Sequence, residues 1–212
     1  MILVGQYDSP FVRRVAVSLH VLQLPFTRNP ISVFGDAEAM RAINPLGRIP
    51  SLVLDDGEVL IDSAAILDHL DEVVGPARAL LPPSGAPRRA ALRISALACG
   101  AVDKVVAIVY DRALRPPEKQ HAPWQQRCAV QLATALAALE TAAPAGWWGG
   151  QQPGQADITV GCALGYLRLR LAEAFAPGRY PALERLAAAC EDVPAFRATR
   201  PADDEAMPAR PM

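Results

Sequence analysis

The stretch "YDSPFVRRVAVSLH", residues 7–20, follows the short apolar run "MILVG" and changes both its polarity and its period. Ile2 to Val4 reads as a short buried strand, whereas Val12, Val15, Ala16 and Leu19 recur three and four apart, as one stripe of a helix does. Between them Ser9 is a helix N-cap able to accept an amide proton of the first turn. Pro10 fits the first helical position, where its missing N–H would have had no partner. The pattern predicts strand, turn and helix. A hydroxyl at a helix N-terminus just past a first strand is also placed to hold an anion such as a thiolate.

Outward from this stretch, the first 80 residues alternate in type. Strand signals at residues 2–4, 26–29, 51–54 and 59–61 interleave with helical patterns at 10–22, 37–44 and 63–74, and Asp55-Asp56-Gly57-Glu58 between two apolar runs is a hairpin turn. The order is βαβαββα, with a mixed sheet whose last two strands are antiparallel. "GPARALLPPSGAP", residues 75–87, is dense in Pro and Gly and reads as a linker. Beyond it Ala and Leu dominate residues 88–114, 123–143, 156–175 and 182–190, which predicts a bundle of about five helices. The closing "RPADDEAMPARPM" has three prolines and few large apolar residues, so an irregular tail is expected. The expected organisation is an α/β domain over 1–78, a linker over 79–87, an all-helical domain over 88–200 and a tail over 201–212.

Bulk properties narrow the function. Of the 212 residues, 51% are hydrophobic, enough for a sizeable core. Twenty-one basic against 22 acidic residues give a net charge of -1, which offers no basic footprint for nucleic acid and points to a small-molecule partner. No apolar run approaches the roughly 18 to 20 residues of a membrane span, and no charged region followed by a cleavable apolar segment opens the chain, so no membrane partner and a cytoplasmic location are expected. Cys99, Cys128, Cys162 and Cys190 are far apart in Ala/Leu-rich contexts and read as buried thiols of a reducing compartment. Neither they nor His20, His69 and His121 make a metal-ligand spacing, so no metal is expected.

Three segments of the first domain carry a resemblance. The Ser9 turn precedes the first helix, "NPLGRIPSL" (44–52) leads into the third strand, and "LIDSAAIL" (60–67) runs the fourth strand into a helix. With "ALLP" before the linker, "GQADITVGCALGYL" (154–167), "RYPALERL" (179–186) and "VPAFRAT" (193–199), the whole chain resembles the glutathione S-transferase family. "SPFVRRV" and "ADITVGCALGYLRLR" look similar to its bacterial serine-type members. The resemblance implies a thioredoxin-like N-terminal domain that binds glutathione and an all-helical C-terminal domain that helps to hold a second substrate. It also implies a homodimer in which the N-terminal domain of one subunit faces the helical domain of the other.

By the same resemblance Ser9 is the catalytic residue, donating a hydrogen bond to the glutathione thiolate, with Tyr7 as the rival donor because other branches of the family use a tyrosine near the end of the first strand. The Ile49-Pro50 bond is expected to be cis, turning the Ile49 backbone toward the cysteinyl part of glutathione. Arg48 is expected near the glycine carboxylate, or else solvated on the surface. Ser63 would hold the γ-glutamyl carboxylate at a helix N-terminus and Asp62 the γ-glutamyl ammonium, although the pair also reads as an ordinary N-cap, and the family often has Glu where Asp62 stands. Asp157, three residues after Gly154, has capping-box spacing, but Gly154 replaces the usual Ser or Thr, which removes half of the reciprocal pair. Asp103 is either a carboxylate reaching the partner subunit's glutathione site or a solvated or interface group. Cys99 is either inert or a reactive thiol near the substrate pocket. Glutathione serves as co-substrate, no cofactor is implied, and a small electrophile would sit against the fourth and sixth helices. The alternatives are a glutathione-dependent isomerase, dehalogenase or lyase on the same scaffold, or a glutathione-binding module without turnover.

Overall fold

The computed structural model describes residues 1–202 and Glu205, and within it the chain forms two compact units. The first holds a four-stranded sheet of β1 (Ile2–Val4), β2 (Thr27–Asn29), β3 (Ser51–Val53) and β4 (Val59–Ile61) in the order β2-β1-β3-β4. β1 runs parallel to β2 and antiparallel to β3, and β3 runs antiparallel to β4, so the sheet is mixed as expected. Interleaved are α1 (Pro10–Val21), α2 (Ala37–Ile43) and α3 (Ser63–Val74), which together make the thioredoxin-like βαβαββα order.

Leu3 pairs with Leu52, and both are wholly buried against the α1 stripe of Val12, Val15, Ala16 and Leu19 and against Ile66 and Leu70 of α3. The hairpin between β3 and β4 closes with Gly57 at φ +93°, a conformation that strains any residue with a Cβ, while Asp56 Oδ1 accepts from Glu58 N–H at 3.0 Å. Gly75, at φ +73°, ends α3. The chain after it is not a loose linker: Asp71 accepts from the N–H groups of Leu80 (2.8 Å) and Leu81 (3.1 Å).

The second unit comprises Ser84–Cys190. α4 starts at Gly85 and runs to Leu114, so the helical chain begins inside the segment read as linker. α5 (Ala122–Ala142) buries Cys128, Leu132, Leu136 and Leu139, one stripe at three- and four-residue spacing. α6 (Gln155–Arg170) is buried on nearly every side and lies at the centre of this unit. The single helix expected over 156–175 is broken after Arg170, and Ala172–Phe175 forms a separate 3-10 turn. α7 (Pro181–Asp192) is anchored at its start by Glu140, whose carboxylate accepts from Ala182 N–H and Leu183 N–H at 2.8 and 2.9 Å.

The segment from Glu191, including the short α8 (Pro194–Ala198), groups with the first unit, although the sequence pattern placed residues up to 200 in the helical domain. The reason is Arg13, buried on α1. Its Nε donates to Thr199 O (3.1 Å), and its Nη2 donates to Phe196 O (3.2 Å) and Glu191 Oε1 (3.1 Å). A buried guanidinium needs such partners, and residues 191–199 supply them. Of the tail over 201–212, Pro201, Ala202 and Glu205 lie among the described residues, and Glu205 is buried and hydrogen-bonded, not solvated; the rest lies outside the described residues.

Asp157 organises the start of α6. Gly154 has no side chain to close a reciprocal box, and Asp157 instead accepts from Trp148, Gly149 and Gly154 N–H, each at 2.9 Å. Burial pushes this carboxyl up from its ordinary value while the three amides pull it back. Asp157→Ala removes the acceptor of three N–H groups, of which Gly149 is exposed and the other two are half-buried, so a total loss of about 1 to 3 kcal/mol is expected, read as a lower urea midpoint with unchanged slope.

Candidate functional site

The register of the sheet gathers the three predicted segments. Ser51 is paired with Val4 on one side and with Ile61 on the other. The residues just beyond this row, namely the turn after Val4, the Arg48-Ile49-Pro50 loop before Ser51 and the Asp62-Ser63 start of α3, therefore leave the sheet at one end. Gly5 brings them closer. At φ +130° it lets β1 pass tightly, since a Cβ there would stand 2.6 Å from Val12 Cγ2 and 2.9 Å from Ile49 Cβ.

Ser9 caps α1 with extended backbone and is half-buried. Its Oγ accepts from Val12 N–H at 3.4 Å, a long capping bond that uses the oxygen lone pair and leaves the hydroxyl proton available. Tyr7 is placed differently. It is 7% exposed, belongs to the core of the unit, and lies under the Arg28 guanidinium, 3.6 Å from its ring centroid. Burial raises its pKa above the ordinary phenol value, with Arg28 lowering it and Glu205 raising it further.

The Ile49-Pro50 peptide is cis, with Pro50 buried, Ile49 half-buried and Arg48 exposed. The loop is held by Asn44, which is itself buried: its Nδ2 donates to Arg48 O (2.8 Å) and its Oδ1 accepts from Leu46 N–H (3.0 Å). At α3, Asp62 is exposed at φ +69°, a conformation that costs a non-glycine residue on the order of 1 kcal/mol or more, and its Oδ1 accepts from Ala64 N–H at 2.7 Å. Ser63 is buried, and its Oγ accepts from Arg14 Nη2 at 2.6 Å. The N-cap reading of Asp62 is thus realised, and Ser63 is tied to α1.

Sequence reading missed Gly5, Arg14, Asn44 and Glu205. α1 is buried from Val12 to Leu19 on every side, so the "RR" at 13–14 demands internal partners; that demand was legible, the identity of the partners was not. Asn44 in "NP" is a turn signal that marks where its side chain acts. In the helical unit Asp103 is exposed on α4, Cys99 is half-buried, and the other three cysteines are buried; all four are unbridged. A cleft of about 340 Å³ floored by Ile108, Leu132, Leu136 and Leu171 lies within that unit and holds none of the predicted residues. Among the described residues no three His, Cys, Asp or Glu side chains gather as a metal site would require, and no helix is long and apolar enough to cross a membrane.

Comparison with known proteins agrees with this architecture. Residues 3–78 match the family description "Glutathione S-transferase, N-terminal domain" and residues 122–189 "Glutathione S-transferase, C-terminal domain". The chain is 31% identical over 219 residues to a maleylacetoacetate isomerase of Pseudomonas aeruginosa, spanning 99% of this chain and 100% of that protein. A glutathione S-transferase of Methylobacterium radiotolerans, solved in complex with glutathione sulfonate, superposes with a TM-score of 0.88 at 30% identity over 94% of each chain. A glutathione transferase family member from Pseudomonas fluorescens, solved with bound glutathione, gives a TM-score of 0.82 at 35% identity over 95% of this chain and 98% of that one. With a thioredoxin-like first unit, an all-helical second one and two-domain similarity at this level, the chain belongs to the glutathione S-transferase family.

Proposed function

We propose that the protein binds glutathione at the end of the sheet marked by the Val4-Ser51-Ile61 row and activates it as a thiolate for attack on a small electrophile. The observation that carries this reading is the Ser9 hydroxyl at the start of α1, beside the Gly5-Ile49 close approach. A free thiol of pKa about 8.5 is only about 3% ionised at pH 7, and lowering that value by ~2 units takes ~2.7 kcal/mol of preferential thiolate stabilisation. A hydroxyl hydrogen bond to a charged acceptor contributes about 1.5 to 3 kcal/mol and a helix N-terminus about 0.3 to 1 kcal/mol. Ser9 and α1 together therefore suffice. Ser9 keeps its proton and acts as donor, not base. The core position of Tyr7 beneath Arg28 favours Ser9 over Tyr7 in this role.

The remaining roles follow from the chemistry of the tripeptide. Ile49 presents backbone N–H and C=O to the cysteinyl unit in the manner of a short strand, from a loop that Asn44 stiffens. Ser63, whose oxygen already accepts from Arg14, has its proton free for the γ-glutamyl carboxylate, and Asp62 Oδ2 faces the ammonium. Arg48, exposed, meets the glycine carboxylate. A second reading, glutathione-dependent isomerisation, is supported by the similarity to a maleylacetoacetate isomerase along 99% of the chain. It uses the same thiolate, adding to a double bond and leaving again. The unbridged cysteines favour a cytoplasmic location.

Millimolar glutathione is expected to raise the melting temperature and free cysteine is not, because only the tripeptide spans both ends of the site; no shift with glutathione refutes the reading. Ser9→Ala should cost only about 0.5 kcal/mol, the low end for a cap whose bond is long, yet raise the pKa of the bound thiol by about one to two units in an ultraviolet thiolate titration, with Tyr7→Phe nearly silent. A rise with Tyr7→Phe and none with Ser9→Ala would transfer the role to the tyrosine. The protein is further proposed to be a homodimer, to be checked by sedimentation at micromolar concentration, where a mass of one 22.6 kDa chain would contradict it.

A further inference from the structure

Glu205 is a carboxylate 6% exposed, at the far end of the chain from the residues it contacts. Its Oε2 accepts from Tyr7 N–H at 2.7 Å, across 198 positions of sequence, and its Oε1 pairs with Arg28 Nη2. Arg28 in turn covers the Tyr7 ring. Nine and six residues before Glu205, Phe196 and Thr199 offer backbone carbonyls to Arg13, whose guanidinium also lies 5.5 Å from the Phe196 ring centroid and pairs with Glu191. Residues 191–199 and Glu205 therefore grip the chain at Arg13, four residues after Ser9, and at Tyr7, two residues before it.

The grip matters for the Ser9 side chain: Arg13 N–H ties the Ser9 carbonyl to α1 at 2.9 Å, but the hydroxyl itself has a looser hold. Ser9 N–H donates to Gln6 O at 3.2 Å and Ser9 Oγ reaches Val12 N–H only at 3.4 Å. A hydroxyl whose oxygen is held by one long bond samples several orientations, and a donor acts on a thiolate only in the orientation that points at it. A buried, charge-assisted bond to the Tyr7 amide narrows that freedom by fixing the backbone two residues before Ser9.

We propose that Glu205 is a positioning residue: through the Tyr7 N–H it fixes the Gln6–Ser9 turn, so that the Ser9 hydroxyl is held for the glutathione thiolate. This rests on the thiolate-donor role of Ser9. The charge of Glu205 acts in the opposite sense to its hydrogen bond. Removing an anion close to a thiolate lowers the thiol pKa, and leaving Arg28 without its carboxylate partner lowers it further, whereas loosening the donor raises it.

The two effects separate in a pair of near-isosteric variants of the full chain. Glu205→Gln removes the charge and keeps an acceptor for Tyr7 N–H; Glu205→Met removes both, with Glu205→Ala as a further variant should the thioether fit poorly. The measurements are hydrogen exchange of the 5–12 peptide and thiolate absorbance of bound glutathione against pH, with Ser9→Ala alongside. The expected result is faster exchange in Glu205→Met than in Glu205→Gln, and a bound-thiol pKa higher in Met than in Gln by about 0.5 to 1 unit, a 3- to 10-fold loss of thiolate on the flank of the titration. Equal exchange in all forms overturns the proposal, as does faster exchange with equal pKa in the two variants, which makes the contact purely structural. If Ser9→Ala leaves the pKa unmoved while both variants change exchange, the Ser9 reading itself has failed and the catalytic consequence of Glu205 falls with it.

Discussion

The pairing of Ser51 with both Val4 and Ile61 is the constraint from which the rest of the first unit follows. Side chains on a strand alternate with period two, so a slip of one residue in β3 would turn Leu52 from the core to the opposite face. Leu52 is wholly buried between Leu3 and the helices, which makes such a slip costly and pins the register. The same register decides which loops meet. Three segments that are 40 or more residues apart at their extremes leave the sheet at one end because their strands are aligned there, not because they attract one another.

Short-range contacts then fix each loop within that frame. Asn44 ties the Arg48 carbonyl and the Leu46 amide, Arg14 ties the Ser63 hydroxyl, and Gly5 makes room where α1 and the Ile49 loop press on the end of β1. The Arg14–Ser63 contact is the most sensitive to loss, because either partner left behind stays buried. In the helical unit Asp157 does the corresponding work for the "WWGG" turn, with three amides on one carboxylate. In both units a short polar side chain acts as the template for an irregular segment, while the regular elements are held by apolar burial.

Two arginine systems link the C-terminal segment to the unit that begins the chain. Arg13 is a buried positive charge and Arg28 a half-buried one, and both are answered from the C-terminal segment, by residues 191–199 and by Glu205. An uncompensated buried cation is expensive, so α1 and β2 carry a built-in requirement for that segment. This explains why residues 191–200 group with the first unit even though their composition continues that of the helices before them.

By itself the sequence determined what local chemistry can specify. The α1 stripe, the Ser9-Pro10 start, the Asp56-Gly57 turn and the bounds of β4 and α3 could be read directly, since period, caps and turn residues act within a few positions of each other. Recognisable segments around Ser9, Ile49-Pro50 and Asp62-Ser63 also named the candidate site. Only the tertiary structure decided how that site is supported. Nothing near Arg13, Arg14 or Arg28 in the chain says that Glu191, Ser63 and Glu205 will answer them, because a buried charge states its need for a partner but not where in the sequence the partner lies. The break after Arg170, the start of α4 at Gly85 and the return of residues 191–202 and Glu205 to the first unit were hidden for the same reason: they are settled by packing and pairing between residues distant in sequence, against local preferences that differ only slightly.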